Sequence, residues 1–511
     1  MKKIQDPQQI ALFDVFESHL SPVAYKRLLD GWAGVFRYTL LEVLPAEQLG
    51  DHFSKDFGRP TKELYSVAGL LLIMEFKNWT VSEATDAYMY DTQVHYALNL
   101  GRDHQSMCER TIERYQKLFR ENDLAIQVMD AVSTKLIDEL DIKVAKQRLD
   151  STHIFSNMAC FTRTRLMGVT IKRFLVPLKR HHREAFEALP APLRERYAQS
   201  ENRLFGKVKH RSELRQEVAE DLHELLVRFE GEEAIANRKT FKDLVTVFEQ
   251  QCEVIKEAVE VKEKTGRDVL QNPSDPDATY DAHKGPGYQV QLAETCAEEN
   301  AVQLITCVIP ETASREDGDA LMPVVEKLEE QGHIPEELYA DTHYGSDENK
   351  QHCQAKGIDL VAPVRGPKPK TERENPTPKQ ERLKNRREEE QGEEWPKRYK
   401  SRNGIEATNS AIKRKTGMGR LRVRGAPSVH HAVILKVAGW NILRTVASKK
   451  LRKSIYEMAG YVFWRLIAKN VMFFCATPKP FGRVTFYVGK LRGKVRGFRS
   501  NLEIPNRLLS A

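Results

Sequence analysis

Apolar residues recur at helical spacing through much of residues 10–140. The segments ELYSVAGLLLIMEF (63–76) and TIERYQKLF (111–119) show this spacing most plainly. Amphipathic segments of this length bury one face against neighbouring helices. The pattern therefore predicts a helical region built from several helices.

Two capping boxes predict where short helices begin in this region. Thr80 with Glu83 opens one helix, and Ser106 with Glu109 opens another. Short helices joined by tight turns suit a helix-turn-helix-like DNA-binding module, and a purely structural helical bundle fits the same pattern. We predict a helical N-terminal DNA-binding domain over 1–140.

Beyond residue 140 the apolar residues come in short runs that are typical of strands. The predicted strands fall within 142–157, 287–296, 302–310, 337–346 and 358–366. A helix predicted at 319–332 separates the third strand from the fourth. A tight turn early and helical crossovers late predict a mixed α/β sheet with flanking helices.

Charge patterning divides the rest of the chain. Mixed charges at helical spacing predict a helical insertion over 171–270, to which we assign no chemistry. Residues 366–398 contain Pro, Lys, Arg and Glu with almost no apolar residues, which predicts a mobile charged loop. The chain then becomes helical again from 402 and apolar through 433–447. The domain that contains the sheet is therefore predicted to comprise 141–170 and 271–447.

The C-terminal region, 448–511, is basic. Arg and Lys alternate with Phe and Tyr in PFGRVTFYVGKLRGKVRGFR (480–499), a pattern that suits nucleic-acid binding and equally a solvated tail. The whole chain of 511 residues carries 80 Lys and Arg against 72 Asp and Glu, and its net charge of +8 favours a polyanionic partner without requiring one.

Cysteine usage and hydropathy indicate a cytoplasmic protein. The seven cysteines are scattered and form no C-x-x-C pair, which favours free thiols over a zinc module. The N-terminus lacks the apolar run of a signal peptide. The most apolar stretch, 461–475, is interrupted by Arg465 and Lys469, so we predict no membrane association.

Two aspartates follow apolar runs in predicted strands. Asp150 ends the run KVAKQRL and precedes Ser-Thr-His, and Asp341 ends LYA and precedes Thr-His-Tyr-Gly. A charged side chain in a sheet needs a partner, and a divalent cation is one such partner. A strand-end or turn aspartate is the alternative for each residue alone.

A polar stripe follows on a predicted helix. It comprises Tyr399, Arg402, Glu406, Asn409 and Lys413, spaced by three, four, three and four residues. Ile405 and Ile412 fall on an adjacent face and are predicted to anchor this helix to the sheet. A carboxylate flanked by cations suits a metal ligand within a phosphate-binding surface, whereas a solvated charged face is the alternative.

These residues carry a resemblance to a known family. Tyr399, Arg402, Glu406 and Lys413 reproduce the Y-R-E-K signature of one branch of the DDE transposases of bacterial insertion sequences. LDSTH (149–153) and LYADTHYGS (338–346) resemble the two aspartate segments of that family. Residues 274–295 resemble its second-strand block, and 58–100 resemble its helical N-terminal domain.

The resemblance implies an RNase H-like catalytic domain. Asp150, Asp341 and Glu406 would be the catalytic residues and would hold two Mg²⁺ or Mn²⁺ ions. Tyr399, Arg402 and Lys413 would contact the DNA backbone, and Asn409, on the same stripe, is also predicted to bind DNA. The implied partners are double-stranded transposon ends and target DNA, with a homodimer as the active assembly. Ala293 and Glu294 depart from the family's usual Ala-Val-Asp triplet.

Three alternatives remain open from the sequence. A nuclease or resolvase of the same fold would hydrolyse DNA without joining it, and a non-catalytic DNA-binding regulator would lack chemistry altogether. His153, His283 and His343 could instead be ligands of a zinc or iron hydrolase. The chain has no H-x-x-x-H or similar paired-ligand spacing, which argues against that histidine site.

Overall fold

The structure, a computed structural model, describes residues 1–7, 15–101, 107–200, 211–367 and 376–460. Met1–Ile455 form one unit, and Tyr456–Ala511 form a second. Predictions about Ser106, Cys475 and the stretches 461–475 and 480–499 lie outside the described residues.

The N-terminal region is helical, as the apolar spacing predicts. A π-helical turn (Phe36–Leu40) and a 3₁₀ turn (Leu41–Val43) follow its third helix. The helices are α1 (Val15–His19), α2 (Pro22–Leu29), α3 (Trp32–Val35), α4 (Ala46–Gly50), α5 (Leu64–Phe76), α6 (Val81–Tyr90), α7 (Thr92–Ala97), α8 (Glu109–Glu121) and α9 (Leu124–Leu140).

Local capping explains where several of these helices begin. The box of Thr80 and Glu83 forms both of its reciprocal bonds at the start of α6, which confirms the prediction. The Glu63 carboxylate accepts from two backbone N–H groups at the start of α5. Helix α8 begins at Glu109 with Cys108 as its N-cap residue, so Glu109 is the first helical residue and does not close the capping box predicted from Ser106.

Strand β1 (Lys146–Ile154) leads into the predicted insertion, which is mostly helical. It also contains a β-hairpin that the sequence pattern did not predict, with Lys256 and Glu257 at positive φ in its turn. An apolar core of its own holds these helices together. The elements are α10 (Arg163–His181), α11 (Arg183–Glu187), α12 (Ala191–Ala198), α13 (Arg211–Phe229), α14 (Glu233–Ala236), α15 (Lys239–Gln251), β2 (Cys252–Ile255) and β3 (Ala258–Val261).

The main sheet is mixed, and all five predicted strands are present. Its order is β6–β5–β1–β7–β8, with β4 also pairing with β5. Strand β5 is antiparallel to β1 and β6, whereas β7 is parallel to β1 and β8 is parallel to β7. The bounds are β4 (Thr279–Asp281), β5 (Gly285–Thr295), β6 (Ile305–Thr312), β7 (Glu337–Tyr339) and β8 (Asp359–Val361).

The predicted helix within 319–332 is α16 (Leu321–Glu330), which follows a 3₁₀ turn (Asp317–Ala320). Its apolar side chains and those of α17 (Asp347–Ala355) pack on one face of the sheet, against Leu149 of β1 and Ala293 of β5. Because side chains alternate along a strand, Arg148 and Asp150 lie on the opposite face.

The prediction of a loop over 366–398 is wrong in part. Helix α18 (Pro378–Glu389) begins with a capping box, and α19 (Glu394–Tyr399) follows it. Helix α18 buries no residue, and it is held by polar contacts such as the 2.5 Å ion pair between Arg382 and Asp347. Because this helix buries no apolar face, its sequence shows no apolar periodicity although the segment is helical.

Two further helices follow, α20 (Gly404–Thr416) and α21 (Ala426–Thr445), and residues 449–460 are also helical. Helix α21 packs against α5, α9 and β6, so it joins the N-terminal helices to the sheet. The buried Lys436 ammonium donates to the carbonyls of Glu75 and Thr416 at 2.7 and 2.9 Å. This lysine connects α5 to the end of α20.

Two predictions about the chain's environment can be compared with the described residues. Within the described ranges, no helix has both the length and the apolar character needed to cross a membrane. The cysteines there are free thiols, as the sequence predicts: Cys108, Cys160, Cys252, Cys296, Cys307 and Cys353.

Candidate active site

Asp150 lies inside strand β1 rather than at its end, which corrects the position expected from the sequence. The strand continues to Ile154 because β5 pairs with it from Gln147 to Ile154. Strand β7 pairs only with Lys146–Arg148, so Asp150 lies just beyond the end of that neighbour. The aspartate therefore lies next to the point at which β7 ends.

The parallel register of β1 and β7 brings Asp341 next to Asp150. Tyr339 pairs with Arg148, and each aspartate lies two residues beyond its member of that pair. Both side chains thus fall on the same face of the sheet. Asp341 caps a 3₁₀ turn (Thr342–Tyr344), where its Oδ1 accepts from the His343 backbone N–H at 2.8 Å.

The predicted stripe does not lie on a single helix, because Tyr399 ends α19, Arg402 lies in a 3₁₀ turn (Lys400–Asn403), and the remaining three residues lie on α20. The turn and helix α20 together cover this face of the sheet and bring Arg402 and Asn409 to Asp150. Ile405 and Ile412 are fully buried, as the sequence predicts for residues that anchor the helix. Asn409 Nδ2 donates to Asp150 Oδ2 at 2.9 Å, and Arg402 Nη2 lies 3.4 Å from Asp150 Oδ1. The helix is therefore attached to β1 through the aspartate itself.

Arg402 also contacts Glu406, with 3.1 Å between Nη1 and Oε1. Its guanidinium thus bridges Asp150 and Glu406, two of the three predicted catalytic carboxylates. The Glu406 side chain is 66% exposed, whereas that of Asp150 is 14% exposed. The Glu406 carboxylate therefore faces solvent, whereas the Asp150 carboxylate lies at the base of the site.

Burial raises the pKa of Asp150 to about 6, against the attraction of Arg402. Repulsion from Asp341, Asp317 and Glu406 also contributes to this raised pKa. These four carboxylates are therefore close enough to act on one another. Because these carboxylates repel one another, an additional positive charge placed among them would be stabilised.

Tyr399 and Lys413 flank the bridge formed by Arg402. The Tyr399 ring stacks on Trp395 with 4.6 Å between centroids, and burial raises the pKa of its hydroxyl. Burial lowers the pKa of Lys413, and the nearby Lys284 lowers it further. The phenol and the two lysines place polar and cationic groups around the carboxylates.

Sequence reasoning missed several residues that surround Asp150. Gln291 accepts a 2.5 Å hydrogen bond from Tyr344 and donates to Asp317 at 3.3 Å, which connects the acidic groups to β5. Arg148 and Glu294 form a buried ion pair beside them. The available signal was Glu294 itself, a charged residue in an otherwise buried strand.

The three histidines of the alternative metal site are not brought together in a ligand set. His153 is buried, and burial lowers its pKa to about 4, so its ring is neutral at pH 7. His283 and His343 are exposed. Across the described ranges, no group of three or more His, Cys, Asp or Glu side chains is arranged to hold a metal ion.

The residues around Asp150 nevertheless fit a divalent cation chemically. Hard carboxylate oxygens are the donors that Mg²⁺ and Mn²⁺ prefer. The raised pKa of Asp150 reflects burial and repulsion between carboxylates, which a bound cation would offset. Arg402 supplies part of that positive charge in this structure.

The mixed sheet, with helices on both faces and a helical region before it, is consistent with an RNase H-like domain. The acidic groups lie at the centre of the sheet, next to a helix that carries cations. The fold is therefore of the mixed α/β class, and the site is a cluster of acidic groups flanked by cations.

Residues 262–442 match the family model of the transposase DDE domain. Comparison of the chain with curated proteins and with solved structures gives no match. The matched range contains Asp341 and Glu406 and begins after Asp150. It supports a DDE-type transposase, an enzyme class that acts on DNA in transposition and recombination.

Proposed function

We propose that this protein binds the terminal inverted repeats of an insertion sequence, cleaves DNA at the ends and joins the 3′ ends to target DNA. The observation that carries the proposal is the attachment of α20 and the 3₁₀ turn before it to Asp150, through Asn409 and Arg402 respectively. It brings Glu406 and the aspartates into one region from distant parts of the chain, as phosphoryl transfer by three carboxylates requires.

Asp150, Asp341 and Glu406 are the residues that would hold two Mg²⁺ or Mn²⁺ ions. When bound there, such ions would supply activation of a water or a 3′-hydroxyl and stabilisation of the leaving oxygen of the phosphodiester. Burial of Asp150 keeps bulk water from its carboxylate, which strengthens its electrostatic interactions. Asn409 fixes the orientation of that carboxylate by its hydrogen bond.

The remaining stripe residues would bind the DNA backbone in the Y-R-E-K manner. Arg402 can form paired hydrogen bonds to a phosphate, and its present partners are carboxylates that compete for the same donors. Lys413 acts as a compact point charge beside Lys284. The Tyr399 hydroxyl interacts electrostatically with Arg402 and the carboxylates, and it can donate to a phosphate oxygen.

The other assignments follow from the same proposal. The N-terminal helices up to 140 recognise the repeats, and 141–170 with 271–447 form the catalytic domain around the insertion at 171–270. The active assembly is a homodimer, because two transposon ends must be processed together. The protein acts in the bacterial cytoplasm, at the nucleoid.

The decisive experiment replaces Glu406 by Gln. The substitution keeps the size of the side chain but removes its charge, so folding and DNA-end binding should persist while strand cleavage falls by orders of magnitude. The assay follows nicking of a labelled duplex that carries the repeats flanking the reading frame, in Mg²⁺ and at saturating DNA.

The matched control is Glu394→Gln, since Glu394 is an exposed carboxylate of α19 that pairs only with Lys397 among the described contacts. This variant should cleave like the wild type. Equal cleavage by Glu406→Gln and the wild type would contradict the proposed mechanism.

A further inference from the structure

Arg148 and Glu294 form a buried ion pair directly beneath the start of helix α20. They are opposite one another in the antiparallel pairing of β1 and β5. Arg148 Nε and Nη2 donate to Glu294 Oε2 at 2.7 and 2.5 Å. The side chains are 12% and 0% exposed, so water screens the pair weakly.

Both members of the pair also contact the segment that carries Arg402 and Glu406. Arg148 Nη1 donates to the Ser401 carbonyl at 3.2 Å. The Thr408 hydroxyl donates to Glu294 Oε1 at 2.8 Å. Ser401 and Thr408 flank the segment on its two sides, so the pair holds it at both ends.

Gly404 permits this close approach. A Cβ atom at this position would lie 1.9 Å from Arg148 Nη1 and 2.5 Å from its Cζ, closer than non-bonded atoms approach. The φ of Gly404 is −67°, which any residue adopts. The glycine is therefore required for space rather than for backbone conformation.

A buried ion pair adds little net stability compared with apolar residues of the same volume, because both charges lose their hydration. Its hydrogen bonds are directional, however, and they fix the relative positions of the groups that make them. Here those groups belong to the strand of Asp150 and to the helix of Glu406. The contacts therefore determine how far apart these carboxylates lie.

We propose that Arg148, Glu294 and Thr408 are positioning residues that fix the segment 401–408 on strands β1 and β5 and thereby align Glu406 and Arg402 with Asp150. The proposal rests on the proposed function. This role requires no contact of these residues with DNA or metal. They act through the helix, and a displacement of about 1 Å at a reacting centre can lower a rate about 100-fold.

Three substitutions test the proposal. Thr408→Val removes one hydroxyl and keeps the shape of the side chain. Arg148→Lys keeps the charge but cannot reach both Glu294 and the Ser401 carbonyl with the same geometry. Gly404→Ala forces the guanidinium away from the helix. Each should lower single-turnover cleavage about 10- to 100-fold at saturating DNA, with end binding within about twofold of the wild type.

The control substitutions lie in the insertion, away from the site. Asp221→Asn disrupts a half-buried pair with Arg196, and Thr170→Val removes a buried hydroxyl that bonds only within its own helix. Both should leave cleavage unchanged while lowering Tm as much as the site variants do. Hydrogen exchange at 401–408 should rise in the site variants alone.

Two results would overturn the proposal, and only one of them would also overturn the proposed function. If the wild type does not cleave repeat-bearing DNA, the proposed function and the positioning role both fail. If the wild type cleaves and Thr408→Val and Arg148→Lys cleave within about threefold of it, the network serves stability alone and the proposed function stands. Thr408→Val decides the question should Arg148→Lys or Gly404→Ala fail to fold.

Discussion

Asn409 Nδ2 and Asp150 Oδ2 are 2.9 Å apart, although 259 residues separate them along the chain. The amide donates a hydrogen bond to a carboxylate whose pKa burial raises to about 6. The absence of a negative charge on the side chain at position 409 therefore matters more than the size of that side chain.

Asn409→Asp should show this dependence. A second carboxylate beside Asp150 adds repulsion, so at pH 8 with EDTA the free energy of unfolding should fall by about 1–3 kcal/mol. Mg²⁺ should restore most of the loss, because a cation offsets both charges. The measurement is urea unfolding with EDTA or with Mg²⁺. Asn409→Ala, which loses only the hydrogen bond, should respond to Mg²⁺ no more than the wild type does.

Arg402→Ala and Lys413→Ala should weaken binding to transposon-end DNA and flatten its dependence on salt. Each lost phosphate contact should reduce the slope of log K against log salt by about one unit. Fluorescence anisotropy across a salt series measures that slope. Arg183→Ala, in an exposed pair of the insertion, is the control and should keep the wild-type slope. Unchanged slopes in both site variants would show that the stripe is only a solvated face.

His431 should make the fold sensitive to acid. This buried side chain packs edge-on to Phe119, and burial lowers its pKa to about 3. The unfolded chain binds a proton below about pH 6.5 while the folded chain does not. The contribution of His431 to stability is therefore complete above pH 6.5 and is lost as the pH falls towards 3.

His431→Leu should remove this dependence, since neither ring nitrogen has a hydrogen-bond partner to lose. The slope of unfolding free energy between pH 6 and pH 4 should decrease by up to about 1.4 kcal/mol per pH unit. Denaturant unfolding across that range measures it. The exposed His283 provides the control, because His283→Leu should leave the slope as it is. An identical slope in His431→Leu would rule out a buried neutral ring.

Gly439→Ala tests the packing of α21 on the N-terminal helices. An added Cβ would lie 2.1 Å from the Cβ of Phe76 in α5, so one helix must move. Overpacking of this kind costs about 1–3 kcal/mol. Chemical denaturation should show that loss, whereas Gly231→Ala, with open space around the added atom, should change stability little. Equal stability of the two variants would mean that the interface is loosely packed.

The sequence predicts the strands and the helix of the stripe because both have strong local signals. Alternating or continuous apolar runs place β1, β5 and β6, and Ile405 with Ile412 identifies the buried face of α20. Which carboxylates meet is a matter of register, which apolar periodicity alone does not fix. The family resemblance implies that Asp341 and Asp150 share a site, and the pairing of Tyr339 with Arg148 supplies the physical reason.

Other features escaped because polar contacts between distant segments hold them. Helix α18 has no apolar face, and its ion pair with Asp347 spans 35 residues. The pair of Arg148 and Glu294 spans 146 residues, so neither residue alone indicates the other. The turn of the hairpin β2–β3 has no glycine, although two of its residues have positive φ, and sequence patterns therefore pass over it.

The insertion leaves the sheet beside the point at which the chain returns to it, since Ile154 of β1 pairs with Tyr288 of β5. The ends of the intervening segment are held together by the sheet, whatever lies between them. Doubling the length of such a loop costs only about 0.6 kcal/mol in closure entropy. The sheet can therefore accept a longer, shorter or entirely different segment here without losing its register. Among relatives, this is the stretch in which length is expected to vary most.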